Sequence, residues 1–192
     1  MATDGRAARN DALFAETIRA HEASRTAAVG PILQVVDALL AAYGRRGKAL
    51  IFGNGGSAAD ALHFAAELVG RFERDRRGLA ALALPADTSV LTSVANDYGF
   101  ERVFARQVEA LGSAGDVAIG ISTSGASANV LAALVAARSA GMPTIAFTGR
   151  DGGDVGRAVD IHVNVPHASA ARVQEVHRTL IHAVCELVEA AV

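Results

Sequence analysis

From Lys48 onward the chain alternates short apolar runs with longer amphipathic stretches, and this alternation restricts the fold more than any other feature. The runs are ALIF at 49–52, LAALAL at 79–84, VAIGI at 117–121, PTIAFT at 143–148 and DIHVNV at 160–165. A strand with one face in water alternates apolar and polar residues, whereas a strand apolar at successive positions is covered on both faces. Such strands, separated by helical stretches, predict a parallel sheet between two helical layers. The expected fold is therefore α/β, a three-layer doubly wound parallel sheet, with ligands at the carboxyl ends of its strands.

Before the first strand the pattern is helical. Leu13, Phe14 and Ile18 begin one stripe, Gly30-Pro31 interrupts it, and Ile32, Val36, Leu39, Leu40 and Tyr43 continue at helical spacing. Pro31 suits a first helical turn, where its missing N–H costs nothing. A helical hairpin is expected, giving an arm over 1–46 and one structural unit over 47–192. The chain closes on a predicted helix from about 172 to 191, with Val173, Val176, Leu180, Ile181, Val184, Leu187 and Val188 inward.

Composition excludes several function classes. With 51% hydrophobic and 20% charged residues, 192 residues suffice for a substantial core. A formal charge of −2 lacks the clustered cations of a nucleic-acid binder. The basic stretch 71–77 is broken by Glu73 and Asp75 and reads as a solvated loop. Cys185, the single cysteine, excludes an internal disulfide and reads as a small buried hydrophobe. The N-terminal residues lack the apolar core of a signal peptide, and no apolar run has membrane-spanning length, so no membrane partner and a cytoplasmic location are expected.

Two strand-to-helix junctions carry one chemistry. Asn54, Gly55, Gly56 and Ser57 follow the first strand, and Ser122, Thr123, Ser124, Gly125, Ala126 and Ser127 follow the third. Glycines let backbone N–H groups approach an anion, hydroxyls add donors, and a helix N-terminus adds partial positive charge. Such residues also make plain turns and caps, but two of these loops on one sheet edge favour an anion site. The first also matches the dinucleotide pattern G-x-G-x-x-A, which requires an acidic residue at the end of the second strand. Glu73 and Asp75 precede that strand and Asp87 follows it too late. A P-loop is excluded, because no Lys-Ser or Lys-Thr follows the glycines.

His63 and Glu67 stand at i and i+4 and share one helix face, while Gln174 and His182 lie on the last helix. The spacing allows a metal site and equally allows a surface ion pair. His162 and His177 are assigned no chemistry.

The segments GNGGSAADALHFAAEL, ANDYGF, GISTSGASANV and RVQEVHRTLIH, in this order and at these intervals, resemble the phosphoheptose isomerases. These belong to the sugar isomerase (SIS) domain family, which has a flavodoxin-like fold. The resemblance covers the chain from about Lys48 to its end. It implies that His63, Glu67, Gln174 and His182 hold a Zn²⁺ ion. It also implies that Asn54, Gly55, Gly56, Ser57, Glu67, Asn96, Asp97, Ser122, Thr123, Ser124, Ser127 and Gln174 bind the sugar phosphate. One departure is Ala171, where members carry Asp or Thr before the Arg of R-x-Q-E.

The reaction implied is aldose–ketose isomerisation of D-sedoheptulose 7-phosphate to D-glycero-D-manno-heptose 7-phosphate, with Glu67 as base and His182 as acid. The rival reading is a non-catalytic SIS-domain protein, either a replication-initiator associate or a sugar-phosphate sensor. Glu67 and His182, absent from the initiator-associated type, favour chemistry. Gln174 and His182 are separated by about 12 Å of helical rise and about 80°, so a site at a subunit junction, and a homo-oligomer, most simply a tetramer, are expected.

Overall fold

The structure is a computed structural model that describes residues 5–192. All five expected runs form strands: β1 (Ala49–Gly53), β2 (Ala81–Ala83), β3 (Val117–Ser122), β4 (Thr144–Gly149) and β5 (Ile161–Val165). They pair in parallel in the order β2-β1-β3-β4-β5. β1, β3 and β4 are buried at every position, as their unbroken apolar runs require. The run at 79–84 yields only three strand residues, because Pro85 cannot donate to a ladder and the chain enters a 3-10 turn at Leu84.

The helices are α1 (Gly5–Ala27), α2 (Val29–Gly44), α3 (Gly56–Val69), α4 (Thr88–Tyr98), α5 (Ala105–Leu111), α6 (Ala128–Ser139), α7 (Gly153–Arg157) and α8 (Ala170–Ala191). Strand side chains alternate between the two faces of the sheet. Ile51, Ile119, Ile145 and Phe147 pack with α2, α3 and α8, while Leu50, Phe52, Ala118 and Ala146 pack with α4, α5 and α6. Full burial of each large side chain contributes roughly 1.5–3 kcal/mol, and the double coverage is the expected doubly wound architecture.

The two N-terminal helices precede the sheet as expected. They meet at a bend of 67°, an open elbow, with Pro31 in the first turn of α2. No single described helix is long and apolar enough to cross a membrane. α2 supplies Ile32, Val36, Leu39 and Tyr43 to the core, but α1 buries only Ala20 and Ser24. α1 is held to α8 through polar contacts. Arg172 donates to the Leu13 carbonyl (3.0 Å) and the Thr17 hydroxyl (2.7 Å), Thr17 donates to Glu175 (2.9 Å), and His21 Nε2 lies 2.9 Å from the Thr179 hydroxyl.

The helical stripes fall short of the core at three places. Phe14 and Ile18 are 65% and 57% exposed, and Leu187 is 40% exposed. Leu187 lines the groove between the elbow and α8, while Phe14 and Ile18 lie on the exposed surface of α1. The basic stretch also departs from a simple solvated loop, since Arg76 is turned inward with a side chain only 8% exposed.

Candidate active site

The strand order reverses between β1 and β3, and the two glycine- and hydroxyl-rich loops leave the carboxyl ends of those neighbouring strands. This is the switch point at which open α/β sheets bind ligands. Gly55 adopts φ +54°, a left-handed conformation that a residue with a Cβ rarely takes. α3 and α6 both begin without a side-chain cap, leaving N-terminal N–H groups directed at the site. Ser127, positioned to cap α6, instead places its hydroxyl 2.9 Å from that of Ser122, which lies 3.5 Å from the Ser124 hydroxyl. Ser124 in turn accepts from the Ala126 N–H at 3.2 Å.

The loops are joined by a contact the sequence did not disclose. Asn54 and Asn129 exchange reciprocal side-chain hydrogen bonds, each of 2.8 Å. Asn129 sits in the first turn of α6 and is 3% exposed, a polar residue at an otherwise core-facing position. The second loop is further fixed by Gly125, whose φ of +68° lets its backbone meet Gly152 and Gly153. Asn96 and Asp97 occupy the last turn of α4, exposed and hydrogen-bonded to each other at 2.8 Å. They join neither loop through a direct hydrogen bond.

α3 and α8 lie side by side on one face of the sheet. Along their seam Gln174 covers Gly56, Arg178 pairs with Asp60, and His182 meets His63. Gln174, Arg178 and His182 are spaced by four residues, which places them on one stripe of α8. His63 Nε2 lies 2.8 Å from His182 Nε2 and 3.4 Å from Glu67 Oε1. His63, Glu67 and His182 therefore converge within one chain, and a second subunit is not needed to bring His182 to His63. Gln174 stands apart, its amide so close over Gly56 that any Cβ there would displace it. Among the described residues no three carboxylate, imidazole or thiol groups form a ready-made metal cage.

Burial chiefly, with Arg178 and His182, pushes the His63 pKa below the ordinary imidazole value against the opposing pull of Glu67 and Asp60. His63 is thus neutral near pH 7. Its nitrogen can accept a proton, donate one or offer a lone pair, and the same donor set suits a divalent ion with mixed N/O ligands. Asp60 is fully buried, and its Oδ1 accepts from Arg178 Nε (3.0 Å) and Nη2 (2.6 Å). Neither residue was singled out from sequence. The signal available was an acid one turn before His63 and a base one turn before His182.

The residues assigned no chemistry are structural. His177 is buried and its Nε2 lies 2.9 Å from the Thr148 carbonyl, while His162 Nε2 lies 2.6 Å from the Thr148 hydroxyl. Burial pushes the Cys185 thiol up to about 12, which keeps it an uncharged core side chain.

The SIS domain family profile matches residues 13–149. The phosphoheptose isomerase of Neisseria gonorrhoeae is 53% identical over 179 residues, spanning 92% of this chain and 91% of its own. That of Roseiflexus is 58% identical over 158 residues, 82% of this chain and 80% of its own. The solved N. gonorrhoeae phosphoheptose isomerase superposes with a TM-score of 0.90 at 50% identity, covering 95% of this chain and 97% of that one. A phosphoheptose isomerase from Francisella tularensis superposes with a TM-score of 0.93 at 35% identity, covering 96% and 98%. With its loops at the sheet's switch point and its imidazole–carboxylate seam on α3 and α8, the chain belongs to the phosphoheptose isomerases of the SIS-domain family.

Proposed function

We propose that this sugar-phosphate isomerase interconverts D-sedoheptulose 7-phosphate and D-glycero-D-manno-heptose 7-phosphate, with Zn²⁺ as its cofactor. The observation that carries the reading is the convergence of His63, Glu67 and His182 on the helix seam beside the bridged anion loops. The phosphate is bound by the open N–H groups of α3 and α6 and by Ser57, Ser122, Thr123, Ser124 and Ser127. Fixing that end holds the sugar's carbonyl end in place, so that proton transfer becomes effectively intramolecular. Glu67 moves the proton between the two carbons, and His182 exchanges a proton with the sugar oxygens. His63, Glu67 and His182 would hold the metal, with Gln174 completing the set implied by the resemblance. Gln174 lies over Gly56 here, which supports its role at the substrate. The metal, when bound, would supply Lewis-acid polarisation of the carbonyl.

A homotetramer is part of this reading. The elbow and α8 enclose an apolar groove of about 640 Å³, lined in part by Val29, Ile32, Leu33, Leu180, Ala183 and Leu187. Exposed Phe14 and Ile18 on α1 add apolar surface suited to helix packing between copies. The test is turnover of sedoheptulose 7-phosphate by purified protein, with and without a chelator. Turnover that is lost with the chelator and restored by zinc is expected. Absence of turnover with zinc supplied overturns the reading in favour of a non-catalytic binding protein.

A further inference from the structure

One buried carboxylate ties together both halves of the candidate catalytic seam. Glu189 stands two turns beyond His182 on α8, 4% exposed in spite of its charge. Its carboxylate accepts three consecutive backbone N–H groups, from Phe72 (3.0 Å), Glu73 (2.8 Å) and Arg74 (2.8 Å). Its own carbonyl accepts from Arg74 Nη2 at 2.9 Å. The segment after α3 is thereby folded onto α8, and the Phe72 ring is set 5.6 Å from the His182 ring, tilted by 44°.

The same carboxylate holds Arg76, whose Nε lies 3.2 Å from Glu189 Oε1 as an ion pair. Arg76 then closes the end of α3. Its Nη2 donates to the Glu67 carbonyl at 2.8 Å, and its Nη1 donates to the Leu68 carbonyl at 2.9 Å. Those are carbonyls that a helix end leaves without intrahelical partners, and a cation there also suits the helix dipole. Although burial opposes ionisation, the three N–H groups and Arg76 hold the Glu189 carboxyl at about 2, so the clamp is charged throughout the neutral range.

We infer that Glu189 is a positioning residue for the isomerisation, setting His182 through Phe72 and Glu67 through Arg76. This rests on the assignment of Glu67 and His182 proposed above. The mechanism is steric and electrostatic. A neutral amide at 189 keeps the shape but forfeits the ion pair and faces N–H donors with an NH₂ group, so 72–74 and Arg76 relax from the seam. Displacement of a reacting group by about 1 Å costs up to about a hundredfold in rate. The first phosphate loop lies at the opposite end of α3, bridged to the second through Asn54 and Asn129, and among the described residues the clamp bonds to neither.

Glu189→Gln and Phe72→Leu test this in two measurements. In metal-free protein, ring-proton NMR follows the His182 Cε1–H signal, identified by its loss in His182→Asn. Both variants are expected to shift that signal, because the Phe72 ring current acts on it, while His162 stays fixed. In zinc-supplied enzyme, both are expected to lower kcat by about tenfold to a hundredfold with KM within about twofold. A role confined to stability would lower the melting temperature and leave kcat per folded molecule unchanged.

An unmoved His182 signal in folded Glu189→Gln overturns the inference, as does a moved signal with wild-type kcat. Should Glu189→Gln fail to fold, Glu189→Asp decides in the same way, since it keeps the charge and shortens the reach to 72–74 and Arg76, and an unmoved His182 signal in that variant likewise overturns the inference. If the wild-type protein shows no turnover, the isomerase reading falls, and the NMR measurement still decides whether Glu189 places the ring.

Discussion

Replacing Arg178 with Leu removes the partner of the most deeply buried carboxylate at the α3–α8 seam. Asp60 is fully buried, with both Arg178 bonds on Oδ1 and with Oδ2 unpartnered. Leucine restores neither the charge nor a donor, so Asp60 must stay ionised without a partner, take up a proton or draw water into the seam. Breaking a buried pair from one side typically costs about 3–5 kcal/mol. The Arg178 side chain is 38% exposed, so water already screens part of the interaction, and about 2–3 kcal/mol is the expected loss. For a chain of this length that corresponds to a fall in Tm of roughly 5–10 °C. Urea unfolding at fixed protein concentration measures it as a lower midpoint at unchanged slope. The companion Asp60→Asn/Arg178→Leu removes the stranded charge and should recover at least about 1 kcal/mol of the loss. A loss below about 0.5 kcal/mol, or a double variant no more stable than the single one, would refute the argument that this pair is a buried charge compensated only by Arg178.

Three further outcomes are expected. Glu67→Gln should fold and bind sedoheptulose 7-phosphate yet turn it over at least about a hundredfold more slowly, and near-normal kcat would remove Glu67 as the base. Ser122→Ala combined with Ser124→Ala should raise KM for the sugar phosphate without lowering the melting temperature by more than a few degrees, and unchanged affinity would place the phosphate elsewhere. Light scattering at assay concentration should report a tetramer, and a fully active monomer would exclude subunit packing as a requirement.

Much of the architecture was legible because it follows from local chemistry. Each of the five apolar runs contains a strand, and the unbroken runs of β1, β3 and β4 are buried on both faces. Glycine and hydroxyl residues marked the two strand-to-helix junctions that the structure sets at neighbouring strand ends, and i,i+4 spacing put His63 and Glu67 on one face of α3. Periodicity tells which face of a helix is distinctive, but not which helix it meets or in what register. The pairings Gln174 with Gly56, Arg178 with Asp60 and His182 with His63 depend on that register across more than a hundred residues. Arg76 shows the same limit. Its neighbours Arg71, Arg74 and Arg77 are exposed as a broken charge run suggests, and only the return of α8 gives it a buried acid. Leu187, Phe14 and Ile18 match helical core spacing yet lie outside the core, because periodicity cannot tell a helix face that packs on the sheet from one left at the surface.

The amide pair between Asn54 and Asn129 ties together the two glycine- and hydroxyl-rich loops of adjacent strands, and α3 runs from that fixed point toward its imidazole and carboxylate. α3 therefore acts as a ruler. From Gly56 the helix rises about 10 Å to His63 and about 16 Å to Glu67, distances set by the pitch of hydrogen-bonded backbone and not by any adjustable loop. On the proposed reading, with phosphate seated at the zero mark, a sugar's chain length would decide whether its carbonyl end reaches the graduation at which proton transfer takes place. A short sugar phosphate would be gripped as firmly as a long one and still fall outside the reach of the seam. On the proposed mechanism, such discrimination among substrates would register in turnover and leave binding nearly equal.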